Sequence, residues 1–378
     1  MKKILFIISL LLCPMGVFAE ELIPNATSGI LIEASSGKVI YEKNINKEVS
    51  VASMTKMVAQ IIILEEIEKK RIKWTDIVTV SRNASEMGGS QIYLEEGEKI
   101  TVEDLMKGIS VASGNDATVA MAEYISGSEE KFVKRMNNKV KELGLKHTHF
   151  TNCTGLDDKG HYSSSYDMSV IARELVVNHP KILNFSSIYE DYLRENTDKK
   201  FWLVNTNKLI AQYEGTDGLK TGHTDNAGYC LAATSKRNNV RLIAIVLGEK
   251  ESKVRNKETI SLLDYGFNNI KVKTLKKKGS LISRKLVTKA NPNYIDIILK
   301  NDLNVVQDVD NNTKYKYDIS IDNITVPLKA NTVIGEIKVL NKSKVIAREE
   351  LVTAFSLNKI KLLDYYISNL KKLIYGNL

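Results

Sequence analysis

The segment Ser53-Met-Thr-Lys56 is followed directly by an apolar run from Met57 to Ile67. Two further short motifs stand later in the chain, Ser113-Gly-Asn115 and Lys220-Thr-Gly222. Because Ser53 precedes the apolar run, we expect it to open a helix, and residues three positions apart share a helical face. The pattern therefore places the amine of Lys56 beside the hydroxyl of Ser53.

These residue types suit nucleophilic catalysis by a serine. A serine hydroxyl is a poor nucleophile without a neighbouring base, and Lys56 can be that base only when it is uncharged. An unperturbed lysine has a pKa near ~10.4, so lowering it by about three units destabilises the charged form by roughly 4 kcal/mol. Burial and a second cation, for which Lys220 is the candidate, would lower this pKa. The backbone N–H of Ser53, at a helix start, would stabilise an oxyanion.

The other two motifs supply the remaining polar groups. Ser113 is expected to relay a proton between Lys56, Lys220 and the leaving amine. Asn115 is expected to hydrogen-bond the substrate backbone and to hold Lys56 in place. The third motif is expected on an edge strand, where Gly222 would let the substrate backbone approach closely.

The rest of the chain divides into regions of different pattern. Residues 20–268 alternate strands with long helices, which predicts an α+β domain; within it, Thr101 is expected to cap a helix and Val240–Leu247 to form a buried strand. Residues 269–354 show short alternating strands separated by polar turns, which predicts a small all-β domain. At 378 residues, with 43% hydrophobic side chains, the chain is long enough for two such units.

Both ends carry targeting patterns. Residues 1–19 combine two lysines, a short apolar run and small residues near the end, which is typical of a cleaved export signal. Residues 355–378 place lysines opposite an apolar stripe, which favours an amphipathic helix lying on a membrane surface. An ordinary helix docked on a domain fits the same pattern. We expect an exported, peripheral membrane protein, and the net charge of +9 suits an anionic membrane surface better than nucleic acid.

Cysteines and histidines give weaker signals. Removal of the export signal leaves Cys153 and Cys230, which an exported protein could either pair or keep as free thiols. His147-Thr-His149 beside Cys153 fits no common zinc pattern, so no metal site is expected. His161 and His179 have no recognisable partners in the sequence and are expected at the surface.

The three motifs, in this order, resemble those of the D-alanyl-D-alanine carboxypeptidases among the low-molecular-mass penicillin-binding proteins. Supporting segments include Val111-Ala-Ser-Gly-Asn-Asp-Ala117 and Gly215-Thr-Asp-Gly-Leu-Lys-Thr-Gly-His-Thr224, and the likeness covers nearly the whole mature chain. The second motif departs from the Ser-Asp-Asn form at Gly114. The resemblance implies a serine β-lactamase/transpeptidase-like domain, with an antiparallel sheet and helices, and no cofactor.

The resemblance also implies a reaction and its partners. The enzyme would remove the terminal D-Ala from peptidoglycan stem peptides through an acyl-enzyme on Ser53, at the outer face of the bacterial cytoplasmic membrane, and β-lactam antibiotics would acylate it. His223 would give its backbone N–H as the second oxyanion donor, and Thr221 would contact the substrate carboxylate. Arg241 would be the cation for the terminal carboxylate, which arginine binds bidentately. Some relatives carry Arg where this chain has Thr206, which leaves details of substrate contact open.

Two other functions share parts of this pattern. A serine β-lactamase has the same three motifs, and the spacings of 60 and 107 positions between Ser53, Ser113 and Lys220 do not separate the two. Class A lactamases deacylate through a Glu-x-x-Leu-Asn segment, which is not found between the second and third motifs, and an appended β domain has no use in a lactamase. The other alternative is a non-catalytic wall-binding protein with a degenerate site. The motif residues argue against it, because each of them is chemically competent for catalysis.

Overall fold

A computed structural model describes residues 21–238, 240–288, 290–308, 314–341 and 343–360. Within these residues the chain forms an α+β domain followed by a smaller all-β domain, which confirms the predicted fold class. In chain order, the first domain contains β1 (Ser28–Glu33), β2 (Val39–Lys43), α1 (Lys56–Glu68), β3 (Ile77–Thr79), α2 (Arg82–Ser85), β4 (Lys99–Thr101), α3 (Val102–Lys107), α4 (Asn115–Ser126), α5 (Glu129–Glu142), α6 (Ser165–Val177), α7 (Leu183–Ser186), β5 (Glu190–Leu193), β6 (Phe201–Val204), α8 (Leu209–Gln212), β7 (Thr216–Thr224), β8 (Gly228–Arg237), β9 (Val240–Glu249) and α9 (Ser252–Asn269).

The main sheet of this domain is antiparallel, with its strands in the order β2-β1-β9-β8-β7. The predicted strand Val240–Leu247 lies at its centre as β9, and Leu242–Leu247 are fully buried because helices cover both faces of the sheet. β7 carries the third motif and, within the described chain, pairs with β8 alone. It is therefore the expected edge strand, and one row of its backbone N–H and C=O groups is not used by the sheet.

α1 is a helix that is apolar on all sides. Residues 57–64 are at most 2% exposed, as expected for a helix enclosed by protein, and it packs against α4, α5 and α6. A 3₁₀ turn, Ala52–Thr55, leads into it and carries Ser53. The start of α1 is consequently buried, and so is the lysine with which it begins.

The helix that precedes the second motif is capped as its sequence predicts. The side-chain oxygen of Thr101 accepts a hydrogen bond from the backbone N–H of Asp104 at 3.0 Å, and Glu103 and Asp104 occupy the first turn of α3. Both features stabilise a helix N-terminus. α3 then runs into a π-helical turn, Gly108–Ala112, which ends at Ser113.

The strands of the all-β domain are β10 (Ile270–Lys276), β11 (Leu281–Leu286), β12 (Ala290–Asn291), β13 (Tyr294–Leu299), β14 (Leu303–Asp308), β15 (Lys316–Ile321), β16 (Val333–Asn341), β17 (Lys344–Thr353) and β18 (Asn358–Lys359). The domain is built on a sheet in the order β11-β13-β17-β16-β15, with two additional strand pairs, β10-β14 and β12-β18. Ile295, Ile297 and Leu299 alternate along β13 and point into its core, which is the predicted period of two.

The β domain continues past Ala354, where the sequence suggested that it ends. Leu357 is fully buried in its core, and Asn358–Lys359 pair with Ala290–Asn291. Residues 355–360 are therefore not helical, because they complete the β domain. The remainder of the expected tail helix, residues 361–378, and the expected export signal, residues 1–19, lie outside the described residues.

Two smaller points complete the fold. Cys153 and Cys230 are both buried free thiols, which decides the question that the sequence left open. In the described part of the chain, no helix has the length and apolar character needed to span a bilayer.

Candidate active site

Ser53 and Lys56 lie in direct contact at the start of α1. Lys56 Nζ donates to Ser53 Oγ at 2.7 Å and to the carbonyl oxygen of Thr154 at 2.7 Å. The lysine is 0% exposed. The turn of chain between the two residues brings amine and hydroxyl together, as the three-residue spacing predicts.

The loop that offers the Thr154 carbonyl is held by its own asparagine. Asn152 Oδ1 accepts hydrogen bonds from Thr154 N–H at 3.2 Å, Thr154 Oγ1 at 3.1 Å and Gly155 N–H at 2.7 Å. Gly155 has a φ of +85°, and a Cβ there would lie 1.9 Å from the carbonyl oxygen of Ala52. Only glycine lets the loop pack this closely on the turn that carries Ser53. The sequence analysis did not assign this loop to Lys56; Asn152 followed three residues later by Gly155 is the turn signal that could have indicated it.

The second and third motifs meet on the other side of the site. Lys220 Nζ donates to Ser113 Oγ at 2.8 Å and to the carbonyl oxygen of its neighbour Thr221 at 3.0 Å. Ser113 has a left-handed backbone, with φ of 63°, a conformation that costs a non-glycine residue about 1–2 kcal/mol. Lys220 is 1% exposed. Strain at Ser113 is thus maintained by the packing around it, which is a common feature of functional sites.

Both lysines are buried, and within the described part of the chain neither is hydrogen-bonded to a carboxylate. Burial lowers the pKa of Lys56 to about 7, against the smaller opposing effects of Cys153 and Asp116. Burial, followed by the charges of Lys56 and Arg255, holds the pKa of Lys220 well below its usual value. Burial thus lowers the pKa of Lys56, as the sequence led us to expect. The second cation acts in the other direction, because the charge of Lys56 lowers the pKa of Lys220.

Gly222 was expected to make room for the substrate backbone, but the structure shows a different close contact. A Cβ at this position would lie 2.6 Å from the carbonyl oxygen of Val51 and 3.2 Å from the Ser53 nitrogen. What approaches Gly222 closely is therefore the turn that carries the nucleophile, which itself contains the left-handed residue Ala52, with φ of 47°. The glycine lets β7 lie directly against Ser53.

Asn115 is only partly used within the protein. Its Nδ2 donates to the carbonyl oxygen of Gly88 at 2.7 Å, whereas its Oδ1 is buried and has no hydrogen-bond donor among the described residues. The expected contact with Lys56 is not present. An unpaired buried acceptor costs free energy, so this oxygen is available to a donor from outside the protein.

Thr221 and His223 flank Gly222 on the edge strand. Thr221 Oγ1 donates to Thr206 Oγ1 at 2.7 Å, so the position where some relatives carry Arg touches the third motif here. The His223 ring is exposed and lies 4.0 Å from the Tyr229 ring, centroid to centroid. Both residues are where the sequence placed them, on the strand beside Ser53.

Arg241 is not part of this cluster, which corrects the sequence-based expectation. Its two terminal nitrogens bind both oxygens of Asp217 at 2.7 Å each, and one of them also donates to Thr234. A guanidinium already paired bidentately is a poor receptor for a second carboxylate. The structure places a different arginine at the site: Arg255, at the start of α9, is 5% exposed and its charge acts on Lys220.

Arg255 was missed because no local sequence feature distinguishes it. It donates to the carbonyl oxygen of Cys230 at 3.4 Å, and Cys230 is the β8 partner of Gly222. Only the packing of α9 across β8 brings it to the third motif.

The two histidines expected at the surface are both 6% exposed and therefore buried. His179 lies between Glu68 and Glu174, with Nδ1 3.1 Å from a Glu68 carboxylate oxygen and Nε2 3.6 Å from a Glu174 carboxylate oxygen. His161 hydrogen-bonds Thr55, inside the first motif, at 2.8 Å. One partner of each histidine, Thr55 for His161 and Glu68 for His179, comes from a distant part of the chain, so the sequence alone did not reveal it.

Comparisons with known proteins identify the family of the chain. A family model described as D-alanyl-D-alanine carboxypeptidase matches residues 18–251, and one described as penicillin-binding protein 5, C-terminal domain, matches residues 271–359. The chain is 46% identical over 352 residues to the D-alanyl-D-alanine carboxypeptidase DacF of Bacillus subtilis, covering 90% of this chain and 89% of that protein.

Solved structures agree as well. Penicillin-binding protein 5 from Haemophilus influenzae is similar with a TM-score of 0.71 and 31% identity, over 89% of this chain and 98% of that one. The ampicillin-bound form of penicillin-binding protein D2 from Listeria monocytogenes has a TM-score of 0.58 and 31% identity, over 64% of this chain and 98% of that one.

The fold and the buried serine–lysine pair define a serine acyl-transferring hydrolase of the penicillin-binding class. The chain belongs to the D-alanyl-D-alanine carboxypeptidase family. It is a serine-type carboxypeptidase of that family, which confirms the predicted enzyme over the β-lactamase and non-catalytic alternatives.

Proposed function

We propose that this protein removes the terminal D-Ala from peptidoglycan stem peptides through an acyl-enzyme on Ser53. The observation that carries the proposal is the 2.7 Å contact between Lys56 Nζ and Ser53 Oγ, made by a fully buried lysine. With its pKa lowered to about 7, a substantial fraction of Lys56 is uncharged at neutral pH. It can therefore accept the proton that Ser53 loses on attack.

The reaction proceeds in two steps. Ser53 Oγ attacks the carbonyl carbon of the penultimate D-Ala, its proton passes to Lys56, and the C–N bond to the terminal D-Ala breaks. Lys56 passes this proton on through Ser113, whose Oγ is 2.8 Å from Lys220 Nζ, to the leaving nitrogen, so the amine departs neutral and Lys56 is again uncharged. Water then attacks the ester, and the proton it releases restores the Ser53 hydroxyl. The backbone N–H groups of Ser53 and His223 are the donors proposed for the oxyanion.

Substrate binding uses the groups that the fold leaves open. The stem peptide lies along the free side of β7 as an added strand, a common mode of peptide recognition. The unpaired Oδ1 of Asn115 accepts a hydrogen bond from a substrate amide. Thr221 and Arg255 bind the terminal carboxylate, because Arg255 is a buried cation near the third motif whereas Arg241 is already paired with Asp217.

Acylation by β-lactams follows from the same geometry, since a β-lactam also presents an amide carbonyl to the nucleophile. The ampicillin-bound relative supports this expectation. The test is labelling with fluorescent penicillin followed by mass spectrometry of the intact protein. We expect one adduct per chain in the wild type and in Ser187→Ala, an exposed control serine, and none in Ser53→Ala. An equally labelled Ser53→Ala protein would overturn the assignment of the nucleophile.

Comparison of two rates tests the reaction itself. A carboxypeptidase should release D-Ala from a pentapeptide ending in D-Ala-D-Ala with turnover, while it hydrolyses penicillin slowly through a long-lived adduct. Rapid penicillin turnover without D-Ala release would replace the proposal by a β-lactamase.

We also propose that the enzyme is exported and attached peripherally to the outer face of the cytoplasmic membrane, by residues 361–378. The support is the sequence pattern at both ends of the chain. Because Leu357 and β18 belong to the β domain, the deletion that tests attachment begins at Lys361. The truncated protein should stay active and move from the membrane fraction to the soluble fraction; an active protein that still sediments with membranes would refute this mode of attachment.

A further inference from the structure

His161 lies behind the catalytic pair, in the segment between the Lys56-binding loop and α6. The side chain is 6% exposed, and its ring packs against the Phe150 ring with centroids 5.2 Å apart. Its two ring nitrogens face opposite partners. Nε2 is 2.8 Å from Thr55 Oγ1, and Nδ1 is 3.2 Å from the Thr151 nitrogen and 3.3 Å from Thr151 Oγ1.

The partners fix the tautomer of the ring. The backbone N–H of Thr151 can only donate, so Nδ1 of His161 is the acceptor and carries no proton. The proton is therefore on Nε2, which donates to Thr55 Oγ1. Burial lowers the pKa of His161 to about 4, so the ring keeps this neutral form throughout the neutral range.

These two contacts connect the two segments of chain that position Lys56. Thr55 directly precedes Lys56 in the turn between Ser53 and α1. Thr151 begins the loop whose Thr154 carbonyl accepts a hydrogen bond from Lys56 Nζ. The imidazole thus links the turn that carries Lys56 to the loop whose carbonyl group accepts a hydrogen bond from Lys56 Nζ. It is hydrogen-bonded to neither Lys56 Nζ nor Ser53 Oγ.

We propose that His161 is a positioning residue for the general base, which fixes Lys56 Nζ relative to Ser53 Oγ by tying Thr55 to the loop 151–155. The inference rests on the proposed roles of Ser53 and Lys56. Small displacements of a catalytic group cost rate steeply, so a cavity-filling side chain without hydrogen bonds should not replace the imidazole.

The charged and titratable groups near this region bear on the pH behaviour. Asp116 on α4, Cys153 in the loop and Lys220 on β7 act on Lys56 or are acted on by it. Asp157, Asp158 and His149 act on His161. None of these is altered by substitution at position 161 or 55, so a shift in the pH profile reports the placement and solvation of Lys56. A loosened loop admits water, which reduces desolvation and raises the pKa of the lysine.

The experiment measures the second-order rate constant of acylation by penicillin between about pH 5 and 9, together with kcat and KM for D-Ala release and the thermal unfolding midpoint. In folded His161→Phe protein we expect acylation at neutral pH to fall roughly tenfold, with kcat reduced and KM little changed. The acidic side of the profile of acylation rate against pH should shift to higher pH by roughly one unit. His161→Gln, whose amide can reach the Nε2 position, should recover part of the rate by donating to Thr55.

A matched pair of variants at Thr55 tests the proposal even if the His161 variants do not fold. Thr55→Val keeps the shape and loses the acceptor, and it should reproduce the slower rate and the shifted acidic side of the profile; Thr55→Ser should behave as the wild type. Wild-type rates and an unshifted acidic side of the profile in His161→Phe or Thr55→Val, with only a lower unfolding midpoint, would overturn the proposal. Failure of Ser53→Ala to abolish labelling would instead contradict the proposed function.

Discussion

The protonation state of Lys56 should determine how the rate of acylation depends on pH. Its pKa is lowered to about 7 by burial, so below that value the uncharged fraction falls tenfold for each pH unit. We expect the acylation rate constant to rise with unit slope up to about pH 7 and to level off above it, measured by stopped-flow fluorescence with a penicillin. A profile that does not change between about pH 5 and 8 would contradict the role of Lys56 as base.

Two arginines provide a second test at the residue scale, because one is at the site and the other is not. Arg255→Gln should reduce kcat/KM for a peptide with a free terminal carboxylate by roughly 10- to 100-fold, a loss of about 1.4–3 kcal/mol. Arg241→Gln breaks the ion pair with Asp217 and should leave kcat/KM within about twofold. The reverse ranking of the two variants, both checked for folding by circular dichroism, would restore Arg241 to the substrate site.

Residues that act through local spacing could be predicted from the sequence, whereas residues that act through distant packing could not. Ser53 and Lys56 are one turn apart, so their contact follows from helix geometry. Arg255 and His161 meet the site only because α9 crosses β8 and because the segment before α6 returns to the first motif. The sequence immediately around Arg255 or His161 contains no pattern that indicates either of these packing contacts.

At the scale of elements, the contact between the end of β9 and α9 is expected to depend on pH. Glu249, at the end of β9, is 1% exposed, and neither of its carboxyl oxygens receives a hydrogen bond from the described chain. Its neighbour Glu258 on α9 accepts from the backbone N–H groups of Asn25 and Ala26. Burial, and then the neighbouring Glu258 carboxylate, raise the pKa of Glu249 to about 8.

The sign of the effect follows from the direction of this shift. A carboxyl whose pKa is higher in the folded state stabilises the fold most at low pH, and that contribution is lost as pH rises from the unfolded value of about 4.5 through about 8. Glu249→Gln should therefore be more stable than the wild type by roughly 1–3 kcal/mol near pH 8.5 and close to it near pH 5, by urea unfolding. Glu251→Gln, at an exposed neighbouring position, is the control. Equal gains in stability at both pH values would contradict a raised pKa of Glu249 in the folded protein.

Strands and caps were the elements that the sequence predicted best, because alternation and capping are properties of a few adjacent residues. β9, the Thr101 cap and the alternating strand β13 formed as expected. β18 was not foreseen. It consists of two residues paired with a distant two-residue strand, and such a pairing is too short for any periodicity to indicate it.

At the scale of the whole molecule, the two domains should respond differently to the place where the chain is cut. Removing residues 361–378 leaves β18 and the fully buried Leu357 in the β domain. Removing residues 355–378 takes both away and leaves a cavity, which we expect to destabilise the β domain by roughly 2–5 kcal/mol. The carboxypeptidase domain should unfold at the same denaturant concentration in both truncated proteins, because residues 355–360 take no part in its core clusters.

The two tryptophans allow this difference to be measured. Trp74 and Trp202 both lie in the α+β domain, so tryptophan fluorescence follows that domain alone, while far-ultraviolet circular dichroism follows both. We expect the two signals to separate in the shorter protein, with an early loss of β signal before the fluorescence changes, and to separate less in the longer one. Coincident and identical transitions in both proteins would mean that residues 355–360 add nothing to the β domain, in spite of the buried leucine.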